Sequence, residues 1–100
     1  MIVVLGYLTI YPAKLDEVES AIATLVPATR AEEGCIDYRC STDLDEPARI
    51  NIVEQWESED AMNAHMGTDH LAAFMATMGT CLGGPVEITR HDVASSTKLF

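Results

Sequence analysis

Residues 35–66 read CIDYRCSTDLDEPARINIVEQWESEDAMNAHM, and this stretch decides the fold. Residues 35–42 and 49–56 are rich in β-branched and aromatic side chains, which predicts two strands. Between them Asp43-Leu44-Asp45-Glu46-Pro47 is a polar turn. A turn so short joins neighbouring strands into an antiparallel hairpin. Ser58 then stands where a helix N-cap belongs, with Glu59 and Asp60 in the first turn, so a helix is expected over 58–66.

Working outward, residues 2–11 read as a strand, ended by Pro12. Leu15, Val18, Ile22 and Leu25 recur at spacings of three and four, which predicts an amphipathic helix within 13–31. Pro27 is expected to kink or restart it, and Gly34 to stop the run. After a break at Gly67, Thr68 can cap another helix carrying Leu71, Phe74, Met75, Met78 and Leu82 on one side. Gly83-Gly84-Pro85 reads as a turn, and 85–93 as a last strand. The order β-α-β-β-α-β, with the second helix in two pieces, is the ferredoxin-like α+β arrangement with an antiparallel sheet. At 100 residues the chain is expected to be one domain, 1–100.

The first strand is apolar on both sides, with Ile2, Val4, Leu8 and Ile10 facing one way and Val3, Leu5, Tyr7 and Tyr11 the other. In the third strand Ile50, Ile52 and Trp56 share one face, and Val53 shares the other with Asn51 and Gln55. Helices from so short a chain cover one face only, so the other is expected to meet a second copy, giving a homodimer packed sheet to sheet.

Sixteen acids against six Lys and Arg residues give a net charge of −10, which argues against a nucleic-acid partner. No apolar run is long enough to span a membrane, and the start Ile2-Val3-Val4-Leu5 does not read as a signal peptide. With three cysteines (Cys35, Cys40, Cys81) and no secretion signal, reduced structural thiols and a cytoplasmic location are expected. Cys35 and Cys40 should point to opposite faces of their strand.

Chemistry concentrates in Glu54-Gln55-Trp56-Glu57-Ser58, His65 and His70. Neutral histidine can act as a general base, and a tryptophan ring can stack on an aromatic substrate. Each also has a plain packing role available: Trp56 as core or dimer filler, His65 as a satisfied buried residue, His70 as a first-turn hydrogen-bonding residue. Glu54, if buried, needs a partner, and Arg30, Arg39, Arg49 or Arg90 could supply it. His65 and His70 are five apart, not the i,i+4 pair of a helical metal site, and nothing fixes a third ligand such as Asp69 or His91. No metal is therefore expected. No G-x-S-x-G, G-x-G-x-x-G or P-loop motif occurs.

Three segments carry a resemblance. Thr29-Arg30-Ala31-Glu32-Glu33-Gly34-Cys35-Ile36-Asp37-Tyr38 is similar to a "TR.E.GC..Y" pattern. Glu54-Gln55-Trp56-Glu57-Ser58 with Ala61, His65 and His70 is similar to "E.WES..A...H....H", and Tyr11-Pro12-Ala13-Lys14 to a "V.PGK" turn. Together they resemble the antibiotic biosynthesis monooxygenase family of the dimeric α+β barrel superfamily. The resemblance implies a homodimer whose sheets form a barrel, each subunit with its own pocket. It implies a cofactor-independent monooxygenase that uses O2 on a quinol, phenol or anthrone-like substrate. An isomerase of a small oxygenated metabolite and a non-catalytic small-molecule-binding or stress-response dimer are the alternatives. On this reading His65 or His70 is the base or oxyanion stabiliser, and Trp56 stacks on or hydrogen-bonds the substrate. Asn51 and Tyr38 are polar contacts, and Met62, Met66, Leu71 and Phe74 line the pocket.

Overall fold

The computed structural model describes all 100 residues. Strands β1 (Ile2–Ile10), β2 (Cys35–Thr42), β3 (Arg49–Trp56) and β4 (Leu82–Asp92) form one antiparallel sheet in the order β2-β3-β1-β4. A 3-10 turn (Pro12–Lys14) leads into α1 (Leu15–Arg30), and α2 (Glu59–Met66) and α3 (Asp69–Met78) lie between β3 and β4. This is the ferredoxin-like α+β fold expected from the element order. No helix is long and apolar enough to cross a membrane.

Strand alternation sets the two faces. Ile2, Val4, Leu8 and Ile10 pack with Ile50, Ile52 and Trp56 against Val18 and Leu25 of α1 and Phe74 and Met78 of α3. The opposite face bears Leu5 and Val53, 44% and 36% exposed, among polar neighbours. There the Arg49 guanidinium lies 3.9 Å over the Tyr7 ring, and the Tyr7 hydroxyl donates to Glu87.

Several local expectations change. Pro27 stays inside α1, which still runs to Arg30; the bond it cannot make would go to the Ala23 carbonyl, and both residues are exposed, so water can serve that oxygen. Gly83-Gly84-Pro85 belongs to β4, which starts at Leu82. Both glycines lie against β1's end: a Cβ on Gly83 would sit 2.7 Å from the Tyr11 ring, and one on Gly84 2.8 Å from Thr9. Pro85 is tolerated because β4 is an edge strand. Cys35 and Cys40 share a face instead of opposing each other. The β2–β3 register slips between Cys35 and Asp37, so Cys35 stands opposite Trp56 and Cys40 opposite Ile52, both core residues. The extra residue of the bulge reverses the expected parity. Burial raises both thiols, Cys40 to about 11, which keeps them protonated and unreactive near neutral pH.

Candidate active site

Two backbone devices bring three distant residues together. Beyond α1 the chain turns at Gly34, whose φ of 81° is open to glycine. The turn is tied by Glu32 N–H to Thr29 O, Cys35 N–H to Glu32 O, and Glu57 N–H to Gly34 O. Gly34 also lies so close to α2 that a Cβ there would sit 2.5 Å from the Ala61 Cβ. The turn thus holds the Glu32 side chain against His65 of α2. The second device is the break at Gly67-Thr68. On a continuous helix residues five apart would diverge by roughly 140°. Here the Thr68 hydroxyl donates to His65 O at 2.7 Å, rather than capping the amides of α3 as expected, and ties α2's end to α3's start. His65 in the last turn of α2 and His70 in the first turn of α3 come to 6.1 Å between ring centroids.

Both rings meet one carboxylate oxygen. His65 Nδ1 lies 2.7 Å and His70 Nε2 2.8 Å from Glu32 Oε2. By type, two imidazoles and a carboxylate within 4.8 Å of one another could also hold a divalent cation. The third group beside the two histidines is Glu32, not Asp69 or His91. His91 stands opposite Val3, on the sheet face away from the helices. The one mark of Glu32 in the sequence is its place as the "E" of the "TR.E.GC" segment, and no spacing rule ties it to the two histidines.

An apolar cavity of about 390 Å³ opens beside the triad, between sheet and helices. That volume suits a small aromatic molecule. Tyr38, Met62, Met66, Leu71 and Phe74 line it, as does Met78. The polar groups on its wall are His65, Glu54, Arg90 and the Tyr38 hydroxyl. Only Thr29 Oγ1 is a fully shielded side-chain polar atom without a hydrogen-bond partner. His65 Nε2, Glu54 Oε2 and Tyr38 Oη have no protein partner either, so they keep access to the cavity their side chains line. Burial holds the Tyr38 phenol far above its usual value, so it remains a neutral donor. His70 faces away, into a separate groove between α1 and α3, lined also by Thr24 and Thr77.

Two expected contacts are corrected. Trp56 is wholly buried, so it has no face to offer a ligand. It packs on His65 with centroids 4.9 Å apart, and its Nε1–H donates to Glu54 Oε1 at 2.9 Å. Asn51 stands opposite Tyr7 on the far face of the sheet, where it donates to Asp43 at 2.9 Å. Glu54 is buried without an arginine. Arg30 donates to Tyr38 O, Arg39 to Asp37, Arg49 covers Tyr7, and Arg90 bonds Glu59 and Asp92. Burial, only partly offset by the Trp56 N–H, raises the Glu54 carboxyl above the usual range.

A ferredoxin-like sheet under helices, with an apolar cavity and a few convergent polar groups, defines an α+β protein with a pocket of small-molecule size. The chain belongs to the antibiotic biosynthesis monooxygenase family, whose model matches residues 1–77. It is 32% identical to YcnE of Bacillus subtilis, provisionally named a monooxygenase, over 94% of this chain and 99% of that one. Among solved structures, a Caulobacter crescentus protein provisionally assigned to the same family has a TM-score of 0.88 at 30% identity, covering 94% of this chain and 90% of that one. A Deinococcus radiodurans protein has a TM-score of 0.91 at 22% identity, covering 100% and 99%, which supports the fold.

Proposed function

We propose that this chain is a monooxygenase that uses O2 on an electron-rich aromatic substrate, a quinol, phenol or anthrone, with no metal or flavin. The observation that carries the proposal is the unpartnered His65 Nε2 on the wall of a largely apolar cavity. His65 takes a proton from the substrate's hydroxyl or activated CH2 group. The resulting anion passes one electron to O2, and the radical pair recombines. For an anthrone-like carbon the sum is CH2 plus O2 giving C=O plus H2O. Glu54, raised by burial and open to the cavity through Oε2, can return a proton to an oxygen intermediate. The Tyr38 hydroxyl can bond the substrate's oxygen. Met62, Met66, Leu71 and Phe74 keep water from the anion.

The working form on this reading is a homodimer in the cytoplasm. Family members are generally dimeric, and this chain exposes Leu5 and Val53 on its uncovered sheet face. Its three unpaired thiols suit a reducing compartment.

The test is a screen of quinols and anthrones with metal-free protein, run under 18O2 and, in parallel, with all O2 removed. Oxygen uptake with one 18O atom in the product is expected. His65→Ala should lower kcat by ~10²-fold. Equal turnover without air would replace the proposal with a non-oxidative enzyme such as an isomerase. Aromatic binding with no turnover on any compound would replace it with a binding protein.

A further inference from the structure

The contact of two imidazole nitrogens with one carboxylate oxygen has a consequence at the level of individual protons. A carboxylate can only accept hydrogen bonds, so each nitrogen facing Glu32 Oε2 must carry its hydrogen. The two distances, 2.7 and 2.8 Å, are those of charge-assisted N–H···O bonds. For a neutral His65, a hydrogen on Nδ1 leaves Nε2 bare, and Nε2 is the atom without a protein partner beside the cavity. The nitrogen that faces the substrate is thereby a lone pair and not a donor.

We propose that Glu32 is the positioning residue of the site, fixing His65 in the Nδ1–H tautomer so that Nε2 is ready to accept a proton from the ligand. The inference rests on the reading of His65 as the base. Glu32 is fitted to this task by its seating. Its backbone is bonded on both sides, to Thr29 and Cys35, and its side chain is 13% exposed. His70 holds the same oxygen from the other helix, so Glu32 cannot swing from His65 without breaking a second bond. When Nε2 takes the proton, the Nδ1–H stays on the ring and the adjacent carboxylate compensates the new positive charge. No proton needs to leave the pair until product forms. Glu32 touches no substrate, because the cavity wall includes His65 but not Glu32.

The first measurement needs no substrate. Long-range 1H–15N spectra of 15N-histidine-labelled protein, at a pH where the imidazoles are neutral, report which ring nitrogen is protonated. His65 is expected as the Nδ1–H tautomer in the native protein and mainly as the Nε2–H tautomer in Glu32→Leu. In His70→Leu it should remain Nδ1–H, because the 2.7 Å bond to Glu32 survives. The second measurement is turnover on any substrate found in the screen: Glu32→Leu should lower kcat by ~10²-fold while KM changes by less than about threefold. A native Nε2–H tautomer, or one unaltered by Glu32→Leu, overturns the proposal. So does a visible d–d spectrum on adding Co2+ to the native protein that is lost in Glu32→Leu, because the nitrogens would then be metal ligands. If no substrate is found, the oxygenase reading fails while the tautomer result still stands for or against Glu32.

Discussion

Glu54 and Trp56 act as one unit. The Trp56 N–H is the only protein donor to the Glu54 carboxyl, and the pair is buried with no salt-bridge partner for that carboxyl. Glu54's ionisation is opposed by burial, so its folded-state value exceeds its unfolded one. The native state therefore holds the Glu54 proton more tightly than the unfolded chain does. This contribution to stability is complete below about 4.5, the unfolded value, and is lost as pH rises through the raised folded value. Glu54→Gln keeps an acceptor for the indole and removes the buried charge. It should match the native protein in urea melts near pH 4 and exceed it at pH 8. Trp56→Phe keeps most of the ring but removes the donor, and should cost about 2 kcal/mol at pH 7. In the Glu54→Gln background the same change should cost less, which a double-mutant cycle in urea measures.

At the scale of elements, the α1–β2 turn and the α2–α3 break have more influence on the site than either helix alone. Gly34 has both a positive φ and no room for a methyl group. Gly34→Ala should destabilise the protein by about 2 kcal/mol and draw Glu32 away from His65. Adding Ala61→Gly removes the methyl that Gly34→Ala would strike and should recover part of this loss, while the backbone strain remains; thermal melts of the single and double variants separate the two. Much of this scale was legible from pattern. The strand periods, the helix period of Leu15, Val18, Ile22 and Leu25, and the Ser58 cap each rest on local chemistry, and Ser58 Oγ does accept the Ala61 N–H. The Cys35–Cys40 parity was not legible, because one residue of bulge undoes a rule of alternation. Nor was the inclusion of Gly83 and Gly84 in β4, which depends on how closely β1's end approaches them.

For the whole molecule, the uncovered sheet face and the cavity make separate demands. The proposed dimer should elute with a light-scattering mass of about twice 10.9 kDa. Leu5→Arg, placed mid-face on the central strand, should give monomers with an unchanged far-UV spectrum. A native monomer at micromolar concentration would remove the dimer from the proposal. The sequence by itself determined the order of elements, the two sheet faces and the family, because each follows from residue types at short spacing. Alternation alone already put Asn51 on the face opposite Trp56, so its place outside the cavity was legible too. Only the tertiary structure decided the site. Glu32 lies 33 residues from His65 and 38 from His70. Their meeting depends on a turn packed against α2 and on the angle between two short helices, neither of which leaves a periodic trace in the chain. The same holds for Glu54, whose lack of an arginine reflects where four long side chains are drawn by other partners.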